Sequence, residues 1–130
     1  VVRIVIDSSA LVAILAGEGD AGDLLERIAA ASQRCLSATN HLEARIVLGY
    51  GRNVPSSRLE ELLTRWDVDI VPFDAALSDL AFEAYGRYGK GRHPARLNMG
   101  DCAAYALAKA RGWPLLYKGE DFSGTDIERA

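Results

Sequence analysis

A chain of 130 residues, 49% hydrophobic and 25% charged, has the length of one domain and the composition of a folded globular protein rather than a disordered one. At this size roughly two-thirds of the unfolded chain's surface can be buried, so a core forms without disulfide staples. The formal net charge of −3 weighs mildly against nucleic-acid binding, since a protein that holds nucleic acid by general electrostatic attraction is normally basic. An RNA partner has to be held by a local basic patch and by bound cations.

In chain order, Arg3–Ile6 reads as a first strand. The apolar opening runs only six residues before Asp7, too short for a secretory signal or a membrane span. Asp7-Ser8-Ser9 then sets N-cap residue types before the apolar run Ala10–Leu15, the mark of a helix start. Asp7 is therefore either a helix cap or a ligand at a strand end, with Ser9 near enough to orient a bound water. Gly17–Asp20 breaks this helix, and Ala21–Ala31 predicts a second, with Leu24, Leu25 and Ile28 at helical spacing. Arg34–Ala38 predicts a second strand.

Thr39–Gly49 predicts a helix ended by the breaker Gly49-Tyr50-Gly51. Within it Glu43 shares a face with Ile46, Val47 and Tyr50, whereas His41, Arg45 and Gly49 form the more solvent-facing set. A charged acid on an apolar face needs a cation, a proton or a partner, because an unpaired buried charge is strongly unfavourable. A buried salt bridge satisfies that need as well as a metal does.

Pro55 stands near the start of a helix carrying Leu59, Leu62, Leu63 and Trp66 on one face. Val68–Val71 predicts a third strand, and Asp74 opens a helix running to about Tyr88. The loop Gly89–Leu97 is basic: Lys90, Arg92 and Arg96 are candidate contacts to RNA phosphates, beside the plainer reading of a solvated loop. No acid lies between Glu83 and Asp101. Met99–Arg111 predicts a helix with Asp101 in its first turn, where the helix dipole favours negative charge. Ala104, Tyr105 and Ala108 lie on the same side and would let this helix pack close to a sheet. Pro114–Tyr117 predicts a fourth strand, followed by the turn Lys118–Asp121. Asp121 sits at the strand's carboxyl edge, with Glu120 and Asp126 as rivals. Cys35 and Cys102 have no CxxC partner and read as reduced core residues, as expected in a reducing cytoplasm.

Strands separated by helices predict an α/β domain spanning residues 1–130, with a short, mostly parallel sheet covered by helices on both faces. Ligands of such sheets bind outside the carboxyl ends of the strands. Three acids, Asp7, Asp101 and Asp121, hold strand-end or helix-start positions, and Glu43 lies on a helix. If they converge, two carboxylates at about 4 Å repel by roughly 4 kcal/mol at an effective dielectric near 20, so the cluster either protonates or binds a hard cation. Oxygen-only donors favour magnesium or manganese over zinc, and His41 and His93 have no metal-ligand spacing. Such a cation activates water and offsets charge on a phosphoryl group. A signalling receiver domain is also α/β and carries an acid after its first strand. It wants paired acids there and a central phosphoacceptor, but Asp7 is followed by two serines and Gly51–Ser57 has no acid. Ser9 likewise occupies the second acid position of an Asp-x-Asp phosphatase.

The run Ile4-Val5-Ile6-Asp7-Ser8-Ser9-Ala10-Leu11 resembles the opening of PIN-domain toxins of the VapC type, with Ser8 in place of their usual Thr. Ser37–Leu48, with Glu43, resembles their second motif. Arg96-Leu97-Asn98-Met99-Gly100-Asp101-Cys102-Ala103-Ala104-Tyr105-Ala106-Leu107-Ala108 is similar to the third, and Pro114–Phe122, continuing through Thr125-Asp126-Ile127, to the closing segment. The resemblance implies a PIN fold and a magnesium- or manganese-dependent endoribonuclease. Metal-activated water would attack in line, leaving a 5′-phosphate and a 3′-hydroxyl. It carries the metal-binding acids onto Asp7, Glu43 and Asp101, the more variable fourth onto Asp121, and supporting polar positions onto Ser9 and Asn98. It further implies a cognate VapB-like antitoxin, a homodimer that is often doubled around the antitoxin, DNA contact only through that antitoxin, and no membrane. A PIN-like module that binds without cutting is the alternative; the presence of all four acids weighs against it.

Overall fold

The computed structural model describes residues 2–130; Val1, the first residue of the apolar opening, lies outside the described residues. Four strands, β1 (Arg3–Ile6), β2 (Gln33–Ser37), β3 (Asp69–Val71) and β4 (Leu115–Leu116), form one sheet in the order β3-β2-β1-β4. Every pairing is parallel, with Val5 beside both Cys35 and Leu115. Six α-helices connect them: α1 (Ser8–Leu15), α2 (Ala21–Ala30), α3 (Ala38–Ile46), α4 (Ser56–Arg65), α5 (Ala75–Tyr88) and α6 (Met99–Arg111).

Alternation along the strands divides the core in two. Ile4, Ile6, Leu36 and Leu116 pack with Leu11, Leu24, Ile28, Ala44, Leu48, Leu59 and Leu63 of α1–α4 and the turn after α3. Val5, Cys35 and Leu115 pack on the other face with Leu77, Ala84 and Tyr88 of α5 and the small-residue run of α6. The expected two-sided α/β architecture is present, and both cysteines are free and buried. From Cys102 to Ala108 every residue of α6 is buried, so its alanines admit the helix deep between the sheet and α5.

The strand order reverses beside β1: the chain moves outward through β2 and β3, then returns to place β4 on β1's other edge. The carboxyl ends of β1 and β4 therefore flank the crevice where parallel sheets bind ligands. The Asp7 N–H donates to the Leu116 carbonyl at 2.9 Å, which pins the end of β1 to β4. Two local expectations are corrected. Gly49-Tyr50-Gly51 widens the helix into a π-helical turn, Val47–Gly51, rather than ending it at Gly49. The fourth strand is ladder-paired over only two residues, because beyond Leu116 the chain turns toward the site. No helix among the described residues is long and apolar enough to cross a membrane.

Candidate metal centre

Asp7 caps α1 and is 2% exposed, so its two sequence readings coexist in one side chain. Its Oδ2 accepts the Ser9 N–H at 3.1 Å and the Ser9 hydroxyl at 2.5 Å. The Ser9 Oγ in turn accepts the Lys118 N–H at 3.0 Å. That hydroxyl bridges the two, so Ser9 fixes Asp7 against the chain after β4. The other oxygen, Asp7 Oδ1, is buried and has no hydrogen-bond partner among the described residues.

Glu43 reaches the same crevice from α3. Its Oε1 accepts the Ser8 hydroxyl at 2.5 Å and lies 3.4 Å from Asn40 Nδ2. The face expected to bury it is not the buried one. Ile46, Val47 and Tyr50 are exposed, Tyr50 by 92%, and the inward side of the helix is Asn40, Ala44 and Leu48. Glu43 is half-buried at the boundary between these faces. His41, expected outward, instead pairs with Glu60 at 2.7 Å.

Asp101 is the third residue of α6 and forms a reciprocal cap with Asn98: Asn98 Oδ1 accepts the Asp101 N–H at 2.9 Å, and Asp101 Oδ2 accepts the Asn98 N–H at 3.0 Å. Asn98 thereby holds the acid's orientation. Asp121 lies in the exposed turn after β4, close enough for its charge to act on Asp101. Its rivals are engaged elsewhere. Glu120 accepts from Ser123 and stands 3.7 Å from Arg129, and Asp126 accepts from the Tyr105 hydroxyl at 2.5 Å and from Lys109 at 3.0 Å.

The four acids form an electrostatic neighbourhood. Burial pushes the Asp7 carboxyl up to about 7, opposed by the Ser9 hydroxyl and assisted by the charges of Asp101 and Glu43. Burial likewise raises Asp101 to about 6; the Asn98 N–H opposes this, and Asp121 and Glu43 add to it. As the side chains stand, no three acids, histidines or cysteines among the described residues close on a single ion. Glu43 is turned toward Ser8 and Asn40, and Asp101 toward its cap. The residues nevertheless fit a hard cation: the donors are carboxylates, their mutual repulsion asks for positive charge, and a buried oxygen of Asp7 is unpartnered.

Three contributors escaped the sequence reading. Ser8 bonds Glu43; Asn40 is fully buried and donates to the Gly100 carbonyl at 2.9 Å; Gly100 has the Glu43 carboxylate where a β-carbon would stand. The position of Asn40 three residues before Glu43, on the same helix side, was the available signal. Lys118 also stabilises the site's frame, since its ammonium pairs with Glu18 and lies 3.6 Å from Asp20.

The basic loop closes on itself, with Lys90 N–H donating to the Leu97 carbonyl and Leu97 N–H to Tyr88. Lys90, Arg92 and Arg96 are exposed, and none is in an ion pair with a described residue; Arg87 is drawn away to Asp126.

The family model described as PIN domain matches residues 4–128. A curated ribonuclease VapC of Mycolicibacterium smegmatis is 50% identical over 124 residues, covering 95% of this chain and 96% of that protein. Among solved structures, VapC20 of Mycobacterium tuberculosis, a sarcin-ricin loop cleaving toxin, superposes with a TM-score of 0.77 at 18% identity, covering 98% of both chains. A chain of a toxin-antitoxin complex from Klebsiella pneumoniae gives 0.73 at 18% identity, covering 95% of this chain and 92% of that one.

Proposed function

The chain belongs to the PIN-domain family and is a ribonuclease of the VapC type, the toxin of a toxin–antitoxin pair, and from that premise we propose that it cuts RNA by hydrolysis with magnesium or manganese held by Asp7, Glu43, Asp101 and Asp121. The observation that carries this reading is the buried, unpartnered Oδ1 of Asp7 in a crevice where the charges of Asp101 and Glu43 bear on it. When bound, the divalent cation supplies a nucleophilic water at neutral pH and offsets charge on the scissile phosphate.

The chain's own residues prepare that chemistry. Ser9 occupies one oxygen of Asp7 and leaves the other free. Asn98 presents Asp101 from the first turn of α6, and Ser8 holds Glu43 across the crevice. Asp121 extends the acidic set from the turn after β4. The strand is gripped by Lys90, Arg92 and Arg96, whose phosphate contacts position RNA without reading its sequence. In-line cleavage leaves a 5′-phosphate and a 3′-hydroxyl.

The partner is a VapB-like antitoxin in the cytoplasm, which binds through an aliphatic segment and places a basic side chain among the acids. A second copy of this chain completes a homodimer. Leu42, Ile46, Tyr50, Phe82 and Met99 are exposed, which is much apolar surface for a lone 130-residue chain.

The test is incubation of purified protein with total RNA in magnesium, manganese or EDTA, with sequencing of the new ends. New 5′-phosphate ends in either metal and none in EDTA support the reading. Cleavage undiminished by EDTA removes the metal from it.

A further inference from the structure

Helices α3 and α6 carry Glu43 and Asp101, come from distant parts of the chain and belong to different faces of the sheet. Something has to set how far apart they stand. Two observations meet at their crossing. Asn40, fully buried, donates its Nδ2 to the Gly100 carbonyl at 2.9 Å, sixty residues away in sequence. The same nitrogen lies 3.4 Å from Glu43 Oε1. At Gly100 itself a β-carbon would fall on the Glu43 carboxylate, so that residue is bare where the acid passes.

We propose that Asn40, clamped to the Gly100 carbonyl, is a positioning residue that sets the spacing between Glu43 and Asp101 in the metal centre. One amide bridges the backbone beside Asp101 and the side chain of Glu43, so both acids take their place from one buried group. Gly100 is the other half of the device, since it lets α6 come close enough for the bond to form. An ordinary packing asparagine has no reason to touch both acid-bearing elements, and an ordinary helix has reason to prefer alanine to glycine at a second helical position. Partners of metal-binding side chains, though not ligands themselves, typically change metal affinity roughly 10- to 100-fold when removed.

The inference rests on the proposed metal centre, and the test separates the two. Manganese binding is followed by the loss of the free-ion resonance signal as each protein is titrated, with thermal melting of the metal-free proteins alongside. Wild-type protein that takes up no manganese defeats the metal centre itself. Given wild-type binding, Asn40→Leu, which keeps the volume and removes the donor, should weaken manganese binding roughly 10- to 100-fold. Its affinity for RNA in EDTA, where the metal plays no part, should stay at the wild-type value. Gly100→Ala should also weaken manganese, although alanine favours the helix, and should do so much less in a Glu43→Ala background, where nothing is left to displace. Wild-type manganese affinity in Asn40→Leu overturns the inference. If Asn40→Leu does not fold, Gly100→Ala decides: undiminished manganese affinity, or a loss that is the same with and without the Glu43 carboxylate, overturns it equally.

Discussion

Asp7 satisfies the first turn of α1 with one oxygen and leaves the other buried without a partner. Its carboxyl, raised from the usual 3.8 to about 7, binds its proton more tightly folded than unfolded. The native state therefore holds more protons between those values, and stability falls as pH rises across that window. The stabilisation is complete below about pH 4 and gone above about 7, a difference on the order of 4 kcal/mol. Asp101, raised to about 6, acts in the same direction. Denaturant unfolding in EDTA should show Asp7→Asn losing much of the decline that wild type suffers between about pH 4 and 7; an unchanged pH dependence in the variant contradicts this account of Asp7. At the fourth acid, Asp121→Asn should slow cleavage more than Glu120→Gln, which only frees Ser123 and Arg129. Asp126→Asn should instead lower the melting temperature, because Asp126 joins Tyr105 and Lys109 of α6 to Arg87 of α5. A different ranking of cleavage rates reassigns the fourth position.

The elements were legible in the sequence wherever local chemistry decides them. Asp7 and Asp74 mark true helix starts, and the β-branched run Ile4-Val5-Ile6 forms a strand whose side chains enter the core on both faces. What local pattern could not give was which helix face meets the core. Ile46, Val47 and Tyr50 look like a buried stripe beside Glu43, yet tertiary packing turns Asn40, Ala44 and Leu48 inward. The spacing of Asn40 and Glu43 is legible in the sequence, but the bond from Asn40 to Gly100 is not, because sixty residues separate them. The basic loop is a separate matter of element chemistry. Each phosphate contact to single-stranded RNA contributes about −0.7 to the slope of log affinity against log salt. Lys90→Ala with Arg92→Ala should weaken binding of all RNAs alike and flatten that slope, measured on Asp101→Asn protein so that cleavage does not intervene. Retention of both affinity and slope returns the loop to a solvated surface role.

The whole molecule brings four acids from four separate chain segments to the carboxyl side of one parallel sheet, at the place where its strand order reverses. Folding gathers their repulsion, so a ligand that relieves it binds the folded form alone. Magnesium or manganese should therefore raise the melting temperature, contributing about 2.7 kcal/mol at one hundred times the dissociation constant. No shift up to tens of millimolar counts against the site. The most direct measurement of the central claim is the cleavage rate of one RNA substrate by wild type, Glu43→Gln and Asp101→Asn, each in magnesium and in EDTA, with folding verified by melting. The account predicts cleavage by wild type in magnesium only, and a loss on the order of 100-fold or more in both variants, which stay folded. Wild-type cleavage rates in either folded variant, or cleavage by wild type that EDTA leaves untouched, would contradict it.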